Sequence, residues 1–250
     1  MADVTAEFVQ KILDLAPVER FTIHGLEYSD TKLNLVAPPT IDNIAIGTLK
    51  GFVDLLEADF EGFQKDAVLI HVVSHDKVRF IAKGSDGYGR RQTFIEATAQ
   101  KGEKEFKFDT YYSVEDFNIS LRALFVQSPE LDDLISLASK ITQADENRID
   151  DDGISQKVTA KTGVGPLVGE RVIKPTVKLK PYRTFREVDQ PASEYVFRVK
   201  QMTNGAIGCA LFEADGGTWK LTAISTIADW LTNRIKGSTT PDLSSIPVIA

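Results

Sequence analysis

The stretch Tyr195-Val196-Phe197-Arg198-Val199-Lys200-Gln201-Met202-Thr203-Asn204-Gly205-Ala206-Ile207-Gly208-Cys209-Ala210-Leu211-Phe212-Glu213 decides the fold. Two β-prone runs flank Asn204-Gly205, a dipeptide that readily supplies the positive φ angles of a tight hairpin turn. Strands joined this closely pair antiparallel, because a parallel partner needs a long crossover. Upstream, Ser155 to Lys161, Arg171 to Lys180 and Arg183 to Val188 read as further strands of one meander. Asp189-Gln190-Pro191 and Asp215-Gly216-Gly217 supply its other turns. A last helix runs from about Ser225 to Lys236, with Ile227, Ala228, Leu231 and Ile235 in phase and Gly237 as its stop.

Working towards the N-terminus, four more helices are marked by caps and periodicity. Thr5 precedes Phe8, Val9, Ile12 and Leu13, and Thr48 precedes Leu49, Phe52, Val53 and Leu56. Ser113-Val114-Glu115-Asp116 has the form of a capping box ahead of Phe117, Leu121, Leu124 and Phe125. Ser128-Pro129-Glu130 opens a helix carrying Leu131, Leu134, Ile135, Ala138 and Ile141 inward. Phe21 to Ile23 and Leu33 to Leu35 are strands around a turn near Ser29-Asp30. Val68 to Val73 and Val78 to Ala82 make a hairpin at Ser74-His75-Asp76, and Thr93 to Ala97 adds a third strand. The expected fold is α+β: antiparallel meanders with packed helices, the C-terminal helix closing the second sheet. The polar stretch Thr142 to Gly153, with five acids in the eight residues before the glycine, is the expected boundary. It divides an N-terminal region 1–145 from a sheet-and-helix region 154–236. Residues 237–250 form an extended tail, whose apolar Ile246-Pro247-Val248-Ile249 needs its own body or a neighbour to dock on.

Composition excludes several classes. The 250 residues are 42% hydrophobic and 26% charged, which is ordinary for a globular chain. The single Cys209 allows no internal disulfide, and no apolar run approaches the ~20 residues of a membrane span. The chain is expected to be cytoplasmic, with no membrane partner. Motifs for catalysis or cofactors fail one by one. His71 and His75 lack a third ligand, and Asp150-Asp151-Asp152-Gly153 misses the spacing of a calcium loop. Gly163-Val164-Gly165-Pro166-Leu167-Val168-Gly169 precedes a strand, where a phosphate loop must open a helix. Cys209 alternates with Ile207 and Leu211 as a core residue. Neither a cofactor nor a metal is expected.

Charge is the one uneven feature. The net charge is -7, yet residues 157–200 hold 10 basic and 4 acidic side chains, +6, against 19 and 32, or -13, elsewhere. Lys174, Lys178, Lys180, Arg183 and Arg186 form the candidate face for an anion or partner, with Tyr182 and Phe185 interleaved. The same lysines, with Pro175, are also the devices that keep an edge strand from pairing with other chains. Lys83, Arg90 and Arg91 form a secondary basic loop around Gly84 to Gly89.

The segments Lys178-Leu179-Lys180-Pro181-Tyr182-Arg183-Thr184-Phe185-Arg186-Glu187-Val188, Tyr195-Val196-Phe197-Arg198-Val199 and Ala210-Leu211-Phe212-Glu213 resemble uncharacterised phage and prophage proteins of the YfdQ-like family. The likeness spans roughly the last 100 residues. It implies a phage origin and expression in the cytoplasm of a host bacterium, and it assigns no activity or functional residue. The leading expectation is a non-enzymatic accessory protein that works by binding, self-associates and meets a host protein. The alternatives are a single-stranded nucleic-acid-binding protein of phage recombination or replication, and an enzyme with a cryptic site.

Overall fold

The structure is a computed structural model. It describes the chain except for residues 1–4, 16–17, 24–25, 30–38, 59–61, 88, 143–145, 152–155, 162–169, 174–175, 204, 239 and 241–242. The fold is α+β, in two units, Met1–Ile41 and Asp42–Ala250.

In the first unit, Thr5 Oγ1 accepts from the Phe8 N–H at 3.4 Å and starts α1 (Ala6–Asp14). Its apolar stripe is exposed: Phe8 is 55%, Val9 44% and Ile12 53% accessible. β1 (Arg20–Ile23) and β2 (Leu26–Ser29) pair antiparallel with Ile23 opposite Leu26. Arg20–Ile23 is therefore paired with Leu26–Ser29, which includes Ser29 of the expected turn, and this register stacks Phe21 on Tyr28 at 6.2 Å. The expected strand Leu33 to Leu35 lies outside the described residues.

The second unit opens with β3 (Ile44–Ile46) and α2 (Leu49–Ala58), whose Leu49, Phe52, Val53 and Leu56 are buried as their helical spacing requires. β4 (Val68–Ser74), β5 (Lys77–Ala82) and β6 (Thr93–Thr98) form the expected antiparallel run. β7 (Tyr112–Ser113) leads into α3 (Val114–Leu124), where Ser113 Oγ accepts from the Asp116 N–H at 3.1 Å. Ser128 Oγ accepts from the Leu131 N–H at 3.2 Å and starts α4 (Pro129–Thr142), with all five expected residues buried.

Within the polar stretch expected as a boundary, Glu146–Asp151 is a strand. β8 (Glu146–Asp151) pairs with β9 (Gln156–Lys161), which pairs with β10 (Glu170–Ile173). Its register sets Glu146 opposite Lys161 and Asp150 opposite Lys157. The run Arg171 to Lys180 is not one strand. Residues to Ile173 stay in β10, while β11 (Thr176–Leu179) joins another sheet. β12 (Ser193–Gln201) and β13 (Ile207–Glu213) form the hairpin that decided the fold.

α5 (Trp219–Lys236) begins six residues before the expected Ser225. Asp215 Oδ1 accepts from the Gly217 N–H at 3.0 Å, and Gly216 and Gly217 hold φ of 61° and 81°, so the turn feeds straight into the helix. β14 (Val248–Ile249) ends the series.

Strands β14-β4-β5-β6-β3 make a five-stranded sheet whose two outer strands run parallel to their neighbours, and α2 and α5 pack against it. Strands β11-β12-β13-β7 make a second sheet covered by α3 and α4. Each sheet has its own apolar core, and each core takes residues from both sides of 145–154. The apolar end of the chain docks on its own body. Leu243 and Ile246 are buried in the first core and β14 pairs with Ile70 and His71 of β4. Among the described residues no helix is long and apolar enough to cross a membrane.

Candidate functional site

Arg183 to Val188 is not the strand its composition promises. Leu179 and Tyr195 belong to the core of the second sheet, while Phe185 and Val188 belong to the core of the first. The chain between crosses from one core to the other and returns. Phe185 and Val188 point the same way although three residues apart, a spacing no flat strand allows. With no partner strand, the crossing needs another source of backbone hydrogen bonds. Gln190, 5% exposed, provides it. Its Oε1 accepts from the N–H groups of Arg183 at 3.0 Å and Thr184 at 3.3 Å. Its Nε2 donates to the carbonyls of Phe185 at 2.9 Å and Val188 at 3.2 Å. The Thr184 hydroxyl donates to the His75 carbonyl and ties the loop to the β4–β5 turn.

Arg183 and Arg186 were expected on one basic face, and the loop separates them. Arg183 turns inward, its side chain 11% exposed. Its guanidinium lies 3.6 Å from the Trp219 ring centroid, donates through Nη1 to Glu213 at 3.0 Å and through Nη2 to Ser193 Oγ. Burial draws its pKa below the usual arginine value, opposed by Tyr195, Glu213 and Asp215. Burial also pushes the Tyr195 phenol up to about 12. Arg183 is thus the clamp between loop, sheet and α5. Arg186 turns outward and lies over the Tyr182 ring at 3.7 Å.

These turns frame a cleft of about 300 Å³. Phe106, Phe108, Leu124, Pro181 and Trp219 give it apolar walls, and His75, Arg183 and Glu213 contribute polar groups. Lys101, Lys104 and Arg186 are exposed lining residues. The His75 ring meets Trp219 edge-on at 4.8 Å, and burial lowers its pKa against the pull of Asp76, which favours the neutral imidazole. Burial alone would raise the Asp76 carboxyl. The Ser74 hydroxyl donating to Oδ1 at 2.7 Å, with His75 and Lys101, holds it below its ordinary value. Glu105 pairs with Lys101 at 3.3 Å and Glu213 with Arg183 at 3.0 Å. Among the described residues Lys104 and Arg186 make no ion pair, so the cleft keeps a cationic balance.

The other candidate residues separate as well. Lys178 is exposed on β11, the edge strand of its sheet, with Glu194 opposite it, and Lys180 is exposed just past the end of that strand. Lys174 lies outside the described residues. The secondary basic loop is tied to its own backbone and acids. Lys83 Nζ donates to the Asp66 carbonyl at 2.7 Å, Arg90 pairs with Asp86 at 2.8 Å, and Arg91 reaches the Ala82 carbonyl at 3.5 Å. His71 sits opposite Arg79 in the sheet, away from the β4–β5 turn that carries His75. Cys209 is fully buried and its thiol is pushed up to about 12 by desolvation. His75, Phe106 and Trp219 were missed as site residues. Only Trp219, one of two tryptophans and placed just after a glycine turn, carried any local signal.

No family model, no curated protein and no solved structure matches the chain.

Proposed function

We propose that the chain works by binding, and that the cleft beside Tyr182, Arg186 and Lys104 holds an anionic partner. The observation that carries this reading is the charge balance of the cleft. Its acids are engaged by Lys101, Arg183 and Ser74, while Lys104 and Arg186 stand at apolar walls without a carboxylate of their own. A cation beside low-dielectric walls attracts an anion more strongly than one in open solvent. Trp219 lines the cleft and reports on it by fluorescence. Inorganic polyphosphate at low salt is expected to bind, to change that emission, and to be released as salt rises from about 50 to 200 mM. The variant Lys104→Glu with Arg186→Glu is expected to abolish binding while leaving the melting temperature in place. Absence of polyphosphate binding to the wild-type protein at low salt refutes the reading.

Self-association is a second reading, and the exposed Phe8, Val9 and Ile12 stripe of α1 supports it. The apolar C-terminal segment no longer contributes, since its own core takes it. Light scattering at tens of micromolar tests it. A monodisperse monomer refutes it.

A further inference from the structure

We propose that the cleft, Lys178 of β11 and Lys180 just past its end form one track for a single strand of nucleic acid. A base would stack on Tyr182 and phosphates would rest on Arg186, Lys104, Lys180 and Lys178. The inference rests on the anion-binding reading and names its ligand.

Three observations carry it. First, Tyr182 is 38% exposed, and the planar guanidinium of Arg186 already lies on its face at 3.7 Å. That is the position a base takes on an aromatic platform, and Arg186 displaced from it becomes a cation for the adjoining phosphate. Second, Lys178 and Lys180 are both exposed on either side of buried Leu179, and a two-residue step at strand rise is about 6.8 Å. That interval is of the order of one nucleotide step in an extended single strand, and Lys180 runs directly into Pro181 and Tyr182 at the cleft. Glu194 opposite Lys178 offsets part of its charge, so Lys180 is the stronger of the two contacts.

Third, a peptide strand is blocked at this end of β11. The Val126 N–H donates to the Lys180 carbonyl at 2.8 Å and the Tyr182 N–H to the Leu124 carbonyl at 2.9 Å. The backbone edge beside the cleft is therefore already paired, and what remains accessible is side-chain charge and an aromatic face. A cleft of about 300 Å³ lies at the lower limit of ligand sites, room for one base and its sugar.

The test compares a labelled oligothymidylate of about twelve nucleotides, a duplex of the same length and inorganic polyphosphate, by fluorescence anisotropy with the full chain. The single strand is expected to bind more tightly than the duplex. Tyr182→Ala is expected to weaken the oligothymidylate roughly tenfold, the order of one lost base–aromatic stack, and to leave polyphosphate unchanged. Lys178→Gln with Lys180→Gln is expected to flatten the log–log salt dependence by about 1.4, two phosphate contacts. All three side chains are exposed, and circular dichroism melts confirm that the variants fold. Equal effects of Tyr182→Ala on both polyanions, or preference for the duplex, overturn the inference and leave the anion-binding reading standing. Failure of every polyanion to bind overturns both.

Discussion

The side chain whose replacement tests the loop most sharply is Gln190. Its amide makes four hydrogen bonds, two accepted at Oε1 and two donated from Nε2, in a site 5% exposed. At about 1 kcal/mol each, Gln190→Met removes about 4 kcal/mol at every pH. Gln190→Glu keeps the shape and the acceptor but turns the donor into an oxygen facing the Phe185 and Val188 carbonyls. In the acid form its O–H still donates to one of them, so the loss is about 1 kcal/mol. In the charged form it meets two carbonyls without water, which raises the folded-state pKa above the unfolded value of about 4.3. The folded chain then binds more protons than the unfolded one, and stability falls as pH rises, by about 1.4 kcal/mol per pH unit between the two pKa values. A rise of about two units brings the total near 4 kcal/mol at neutral pH. Urea unfolding of wild type, Gln190→Glu and Gln190→Met at about pH 4 and about pH 7.5 measures this as differences from wild type. A Gln190→Glu deficit equal at both pH values would show that the amide is not held between these groups.

Other residues give further expectations. His75 has its folded-state pKa lowered, chiefly by burial, so the unfolded chain takes up a proton first as pH falls. Its contribution is complete above the unfolded value of about 6.5 and is lost below it, and His75→Gln is expected to remove that part of the pH dependence in urea titrations. Leu243→Ala and Ile246→Ala each empty part of the first core and are expected to lower stability by about 2–4 kcal/mol, read by chemical denaturation. Cys209, fully buried with its thiol near 12, is expected to resist a thiol reagent in the native protein and to react once guanidinium unfolds it. Labelling of the native chain within minutes would contradict that placement.

The local part of the fold was legible in the sequence. α4 shows why: Ser128 caps it, and Leu131, Leu134, Ile135, Ala138 and Ile141 repeat at the period of the helix that buries them. The hairpin at Gly205, with φ of 81°, followed from the need for a positive angle there. What stayed hidden depends on partners distant in sequence. β3 and β14 hold three and two residues, too few for any periodicity, and are strands only because β6 and β4 lie beside them. Arg183 to Val188 has the composition of a strand, and only the buried amide of Gln190 and two separate cores make it a loop. The site suffered most. Arg183 and Arg186 read as equal members of a basic face, yet Trp219 and Glu213 turn one into a clamp while the other lies exposed over the Tyr182 ring.

The pairing of Val248 with Ile70 has a kinetic meaning. Everything from Ile70 to Val248 must be made before β4 receives its outer neighbour, and Phe185, Val188 and Ile227 must also arrive before the first core is complete. Contacts this remote in sequence slow folding, because chain closure is paid in full before they form. Until then β4 presents an unpaired edge of valine, leucine and isoleucine, the kind of surface on which nascent chains associate wrongly. Folding on the ribosome therefore cannot proceed region by region. The second sheet, whose β12 and β13 are joined by a short turn, has the means to start forming early, while the first waits for residues 243–249.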